Sequence, residues 1–222
     1  MKVSTDSCLF GAWVANKIEQ KILQPAAILD IGTGTGLLSL LLAQKSTAGI
    51  DTVEIEEAAC SQAIENFLHS PWSERLRAYC ADIKQWQGGL AYDLIISNPP
   101  FYQNSLKSPV RSANYARHDE ALTLSQLLSV VKANLSDKGH FAILLPFQGI
   151  AGFKMQAAEK FFYLKDELLV RQTPSHSYFR SMLLFCAEPP GQASSHELAI
   201  KEESGNYSDQ FSFLLKDYYL EN

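Results

Sequence analysis

The chain has 222 residues, 46% of them hydrophobic, and a formal net charge of −5. That length suits one α/β domain, and that much apolar material excludes a disordered or fibrous chain. The negative balance excludes a uniformly basic nucleic-acid binder, and the densest apolar run, 37–43, is far too short to cross a bilayer.

The charge is unevenly spread. From Glu188 to Asn222 there are seven acids and two lysines, a net of −5, so residues 1–187 sum to zero. Within that neutral part, 101–118 holds Lys107, Arg111 and Arg117 without an acid, and 171–187 holds Arg171 and Arg180 without one. Local basic rims of this kind are compatible with RNA, although a solvated loop accounts equally for either. Met1–Asp6 has no hydrophobic signal core and carries an early acid, so a soluble, cytoplasmic protein with no membrane segment is expected. The four cysteines (Cys8, Cys60, Cys80, Cys186) show no paired spacing and are expected as buried free thiols of a reducing compartment. The five histidines supply no zinc spacing, so no metal is expected.

In chain order, Thr5–Leu23 reads as a helix. Leu9, Phe10, Trp13, Val14, Ile18, Ile22 and Leu23 recur at three- and four-residue steps, Thr5 or Asp6 caps it, and Pro25 ends it. Ala26–Ile31 is a short buried strand, followed by Gly32-Thr33-Gly34-Thr35-Gly36 and directly by a helix, Leu37–Gln44. Strand, glycine turn and helix open a nucleotide-type βα fold. A second strand, Gly49–Ile55, carries Glu54, with Glu56 and Glu57 behind it at the start of a helix, Ala58–Leu68. An acid at the tip of a second strand accepts ribose hydroxyls in dinucleotide folds. Glu54 is preferred because it follows Val53 at the strand end; Glu56 stays open. Leu76–Ala81 is a third strand ending in Asp82-Ile83, and Tyr92–Ser97 a fourth.

That fourth strand runs into Asn98-Pro99-Pro100-Phe101. Each proline fixes φ near −65° and removes a backbone donor, so the turn offers carbonyls with no competing N–H. Asn98 adds an amide oxygen, and Phe101 a flat apolar ring. Two acceptors beside an aromatic face match an exocyclic amino group on a planar base. Beyond the loop 101–119 come an amphipathic helix, Thr123–Leu135, a fifth strand, Gly139–Pro146, and a short helix near Gly149–Lys160. Strands near Phe162–Arg171 and at Ser181–Ala187 form a hairpin-like pair, and the acidic, aromatic tail Ser194–Asn222 packs back as a strand and a helix.

Two of these stretches carry a resemblance. Asp30-x-Gly32-x-Gly34-x-Gly36 resembles motif I of class I S-adenosylmethionine-dependent methyltransferases, and Asn98-Pro99-Pro100-Phe101 resembles the turn of those methylating planar nitrogens. The resemblance extends along nearly the whole chain. Lys2-Val3-Ser4-Thr5-Asp6-Ser7, Gly11-Ala12-Trp13, Ser70-Pro71-Trp72, Ile95–Tyr102 and Asn206-Tyr207-Ser208 look like the bacterial tRNA adenine-N6 methyltransferase family that modifies adenosine 37 of a valine tRNA. Phe101 departs from the tyrosine common there.

The resemblance implies a Rossmann-like class I fold: a seven-stranded, mostly parallel sheet with an antiparallel C-terminal hairpin and helices on both faces. Residues 1–222 would form a single domain, with a helical segment 1–25, a catalytic core 26–187 and an acidic extension 188–222. The cofactor would be S-adenosylmethionine. Asp30 would engage its ammonium directly or through water, while Gly32, Thr33, Gly34 and Gly36 approach it closely. Glu54 would take the ribose, and Asp82 and Ile83 the adenine. The segment from Lys2 through Thr5 to Asp6 would close over the pocket. Asn98 and Pro99 would hold adenine N6 for in-line transfer of a methyl already activated on sulfonium, with Pro100 stiffening the turn and Phe101 stacking on the base. Lys107, Arg111, Arg117, His118, Arg171 and Arg180 are the expected contacts to a tRNA, on a monomer or weak dimer. Adenine in ribosomal RNA or DNA and protein glutamine stay open as substrates, as does a silent cofactor-binding module. Glutamine methyltransferases of release factors share the turn but carry a helical domain ahead of motif I, where 29 residues precede Asp30 here.

Overall fold

Strands with apolar residues at consecutive positions need cover on both faces, and helices between them supply it. The structure, a computed structural model, describes residues 4–89, 91–100 and 122–219. In chain order the elements are α1 (Thr5–Glu19), β1 (Ala27–Ile31), α2 (Leu37–Lys45), β2 (Gly49–Glu54), α3 (Glu57–Leu68), β3 (Leu76–Cys80), β4 (Tyr92–Ser97) and α4 (Leu124–Asn134). There follow β5 (Leu135–Pro146), α5 (Ile150–Glu159), β6 (Tyr163–Arg171), β7 (Tyr178–Cys186), β8 (Ser194–Ala199) and α6 (Asp209–Leu215).

The strands form one sheet in the order β3-β2-β1-β4-β5-β7-β6-β8. β1 through β5 pair in parallel, whereas β7 runs antiparallel between β5 and β6. The sheet has eight strands where the resemblance implied seven. The extra one is the tail's β8, which joins the edge parallel to β6. Ser208 locks the return by donating to the Ala199 carbonyl at 2.5 Å while capping α6.

Alternation along the strands divides the core in two. Ile28, Leu94, Ile96, Ala142 and Leu144 pack with α1, α2, α3 and α6, whereas Leu29, Ile31, Ile95, Phe141 and Ile143 pack with α4 and α5. α1 is nearly engulfed, with Leu9, Phe10, Val14 and Ala15 fully buried. A Cβ on Gly11 would come within 2.5 Å of Leu41, so the glycine sets how closely α1 and α2 approach. Lys17 forms a buried ion pair with Asp166 and lies 4.5 Å from the Trp13 ring centroid, pinning α1 to β6.

Several expectations are corrected. Ser4 caps α1, one residue ahead of the expected Thr5 or Asp6, by accepting the Ser7 N–H. The helix stops at Glu19 because Lys21 turns left-handed (φ 60°) and Ile22 and Leu23 both donate to the Lys17 carbonyl. Ile22 consequently lies 49% exposed, off the buried face. Cys60 and Cys80 are not free thiols but a disulfide joining α3 to β3, with Cα atoms 5.6 Å apart. Their separation of 20 residues gave no hint of this, because the α3–β3 crossover brings the helix face onto the next strand. Cys8 and Cys186 are free and buried, as expected of all four, and burial pushes both thiols up in pKa.

Candidate active site at the carboxyl edge of the sheet

Register alone gathers the motifs. Ile31 of β1 stands opposite both Val53 of β2 and Ser97 of β4, so the residues that follow, Gly32, Glu54 and Asn98, stand at one level at the carboxyl edge of the sheet. β2 and β4 flank β1, putting the backbones of Glu54 and Asn98 about 10 Å apart at ordinary strand spacing, with the glycine turn between them. Strand order reverses between β1 and β4, the place where open α/β sheets bind ligands. Ser97 tightens the junction by donating its hydroxyl to the Ile31 carbonyl at 2.9 Å.

The turn takes positive φ at Gly32, Gly34 and Gly36, of 72°, 59° and 89°. At Gly36 the requirement is also steric, since a Cβ would lie 2.5 Å from the Phe67 ring. At Gly32 a Cβ would meet nothing within 4 Å, which leaves an open approach to the backbone. Asn66 of α3 braces the turn by donating to the Thr35 carbonyl at 2.8 Å. α2 then starts at Gly36 with no side-chain cap, presenting N–H groups and positive dipole to the site.

Asp30 is completely buried beneath this turn. Its Oδ2 accepts the Thr33 hydroxyl at 2.6 Å and the Ser39 hydroxyl at 2.8 Å, tying β1 to the turn and to α2. Among the described residues its Oδ1 has no hydrogen-bond partner. Burial pushes the carboxyl up to about 6, against the hydrogen bonds from Thr33 and Ser39 and with some help from the charge of Glu54. Glu54 accepts the Gly34 N–H at 2.8 Å through one oxygen and the Glu56 N–H at 2.9 Å through the other. Glu56 is exposed and makes no capping bond. Of the two acids, Glu54 is therefore the one held against the turn.

Asp82 closes a turn beyond β3. It accepts the Lys84 N–H at 2.9 Å and lies 3.4 Å from the Lys84 ammonium, while Ile83 is buried with Ile31 and Val53. Asn98 is half-buried and donates through Nδ2 to the Ser7 hydroxyl at 2.8 Å; Pro99 is buried and Pro100 exposed. The first turn of α1 thus lies against the proline turn, with Thr5 exposed at its head. Asp6 anchors it by accepting from Arg180 Nε at 2.7 Å.

Arg180, expected on RNA, is thus engaged with Asp6. Arg171 donates to the Pro174 carbonyl at 2.9 Å and pairs with Glu197 at 3.1 Å. Lys2, Phe101, Lys107, Arg111, Arg117 and His118 lie outside the described residues. Among the described residues no cluster of His, Cys, Asp and Glu could hold a metal, and no helix is long and apolar enough to cross a membrane. Ser7, Ser39, Ser97 and the Asp6–Arg180 pair were missed from sequence. Only Ser39, a hydroxyl three residues into the helix behind the glycine turn, carried a local signal.

The model of the Methyltransferase small domain family matches residues 12–144. A solved structure from Agrobacterium tumefaciens, titled a predicted O-methyltransferase, superposes with a TM-score of 0.69 at 16% identity, covering 97% of this chain and 99% of its own. Fold and site together define a class I methyltransferase of the S-adenosylmethionine-dependent type. A tRNA1(Val) (adenine(37)-N6)-methyltransferase from Parabacteroides distasonis is 37% identical over 99% of this chain and 91% of its own. One of the same name from Serratia proteamaculans is 35% identical over 99% and 84%. The chain belongs to the tRNA1(Val) (adenine(37)-N6)-methyltransferase family. The residues present fit the cofactor: the unpartnered Asp30 oxygen suits a cation, and the open side of Gly32 leaves room beside the backbone.

Proposed function

We propose that this chain methylates N6 of an adenine in tRNA, adenosine 37 of tRNA1(Val), using S-adenosylmethionine. The observation that carries the reading is the placement of Asn98-Pro99-Pro100 beside the glycine turn on the adjacent strand, at the same level of the sheet. The cofactor supplies a methyl already activated on sulfonium; the remaining work falls to the chain. Asn98 Oδ1 and the Pro99 carbonyl accept the two N6 hydrogens, which draws electron density onto nitrogen and aims its lone pair. Phe101 stacks on the base, worth ~1–3 kcal/mol. Asp30 and Glu54 serve the cofactor's ammonium and ribose, Asp82 and Ile83 its adenine, and Lys2 and Thr5 close the site. Lys107, Arg111, Arg117 and His118 contact the RNA, whereas Arg171 and Arg180 are already engaged by Glu197 and Asp6.

The relatives' names support the substrate, and a tRNA substrate supports work in the cytoplasm. Residues 1–222 act as one catalytic domain, as a monomer or weak dimer. The test is transfer of labelled methyl to unmodified tRNA1(Val) transcript, with nucleoside mass spectrometry locating N6-methyladenosine. Asn98→Ala is expected to keep cofactor affinity and lose about 100-fold or more in kcat. Equal transfer by Asn98→Ala, or no transfer to tRNA by the unaltered chain, overturns the reading.

A further inference from the structure

Asn98 serves an amine only if the correct limb of its side chain faces the substrate. A carboxamide carries an acceptor oxygen on one limb and two donor hydrogens on the other, at nearly equal size. Half a turn about χ2 exchanges them and sets donor against donor. Nothing in Asn98-Pro99-Pro100 itself prevents that exchange, because the prolines rigidify the backbone and not the asparagine side chain.

We propose that Ser7 is a positioning residue that fixes this orientation, an inference resting on the role given to Asn98 above. Its hydroxyl takes Asn98 Nδ2 at 2.8 Å from 91 positions away in the chain. A flipped amide would turn its oxygen toward Ser7 and its hydrogens toward the substrate. Ser7 Oγ lies 2.9 Å from Ser4 Oγ, which also receives the Ser7 N–H at 3.3 Å. Whichever serine donates in that pair, a lone pair of Ser7 remains for Asn98. When Ser7 donates to Ser4, its hydroxyl proton is committed, and Ser7 favours the donor limb of the amide.

The hydroxyl is also held in place. Cys8, Leu9 and Phe10 beside it are buried, the Cys8 N–H donates to the Ser4 carbonyl at 3.1 Å, and Asp6 is tied to Arg180 of β7. α1 therefore delivers Ser7 to the end of β4 as a fixed hydroxyl, an acceptor for Asn98 when its own proton is given to Ser4.

The test compares the full chain with Ser7→Ala, Ser7→Thr, Ser7→Val and Asn98→Ala, using S-adenosylmethionine and tRNA1(Val) transcript. Thr and Val at position 7 have nearly the same shape and differ in the oxygen. The readouts are kcat and KM, cofactor Kd by calorimetry, Tm, and the Asn98 side-chain NH2 signals in a 15N spectrum, identified by their loss in Asn98→Ala. Ser7→Ala and Ser7→Val are expected to lower kcat roughly tenfold, the worth of one neutral hydrogen bond. RNA KM and cofactor Kd should stay within about twofold, and the NH2 pair should move toward solvent-exposed amide positions. Ser7→Thr should restore kcat. Equal kcat in the Thr and Val variants, with Asn98→Ala inactive, overturns the role of Ser7 alone. A loss that follows only the folded fraction also overturns it. Full activity in Asn98→Ala overturns both readings.

Discussion

Asp30 is a fully buried carboxylate, and its titration can be worked through. Burial raises its carboxyl from 3.8 to about 6. At about 1.36 kcal/mol per unit, ionised Asp30 costs the cofactor-free protein ~3 kcal/mol at neutral pH. The unfolded chain binds that proton only near pH 4, the folded chain already near 6. Between those values the folded state holds more protons, so this contribution to stability grows as pH falls and is lost as pH rises. His140 acts in the opposite sense. Burial, then the Lys165 ammonium 2.8 Å from its Nε2, lowers its pKa from 6.5 to about 4, so acid favours the unfolded chain. The two effects share a window, and the unaltered protein alone would conceal both.

The perturbation that separates them is Asp30→Asn, which keeps an oxygen for the Thr33 and Ser39 hydroxyls and removes the charge. Urea unfolding from about pH 4 to 8 should show the stability of Asp30→Asn, relative to the unaltered chain, increasing by ~3 kcal/mol as pH rises through the window. The amide limb adds a constant offset that does not alter this slope. Calorimetry with S-adenosylmethionine should show affinity in the unaltered chain weakening as pH falls below about 6. Asp30→Asn should bind about 10- to 100-fold more weakly near neutral pH, with that dependence removed. A stability gap constant with pH, or one of opposite slope, refutes the reasoning.

Two comparisons test the surrounding architecture. Gly36→Ala sets a methyl 2.5 Å from the buried Phe67 ring at φ 89° and should cost ~2–4 kcal/mol in urea unfolding, whereas Gly32→Ala meets no atom within 4 Å and should cost ~1 kcal/mol. Gly32→Ala should nevertheless weaken cofactor binding, because its methyl enters the open side of the turn. Reduction of Cys60–Cys80, or the Cys60→Ser/Cys80→Ser pair, should lower stability by ~3 kcal/mol through the 20-residue loop it closes, read as a fall in Tm.

Most of the fold was legible because its signals are local. The glycine turn after Ile31, the apolar run Tyr92–Ser97 and the three- and four-residue spacing of Leu127, Leu128 and Val131 each declare an element without help from elsewhere. The errors arose where a distant partner decided the outcome. α1 stops early because Ile22 and Leu23 fold back onto Lys17, not because of Pro25. Cys60 and Cys80 meet because α3 lies across β3, a consequence of the crossover and not of their spacing.

The site divides along the same line. Asp30, Glu54 and Asn98 stand out as candidates because each lies at or beside the carboxyl end of a strand, and parallel register carries strand ends to a common level whatever lies between them in the chain. What register cannot supply is orientation. The Asn98 amide can face either way at the end of β4, and the Asp30 carboxylate divides its duties between the turn and an unpartnered oxygen only once Thr33 and Ser39 are in place. Those choices belong to hydroxyls brought in by the glycine turn and by two helices, at separations from 3 to 91 residues. Serine is the least distinctive of polar residues in a sequence, yet here it decides which face of a more distinctive neighbour is available. A chain that kept Asp30, the glycines and Asn98 but lost Ser7 would still present every motif; by the geometry above, it would be a slower enzyme.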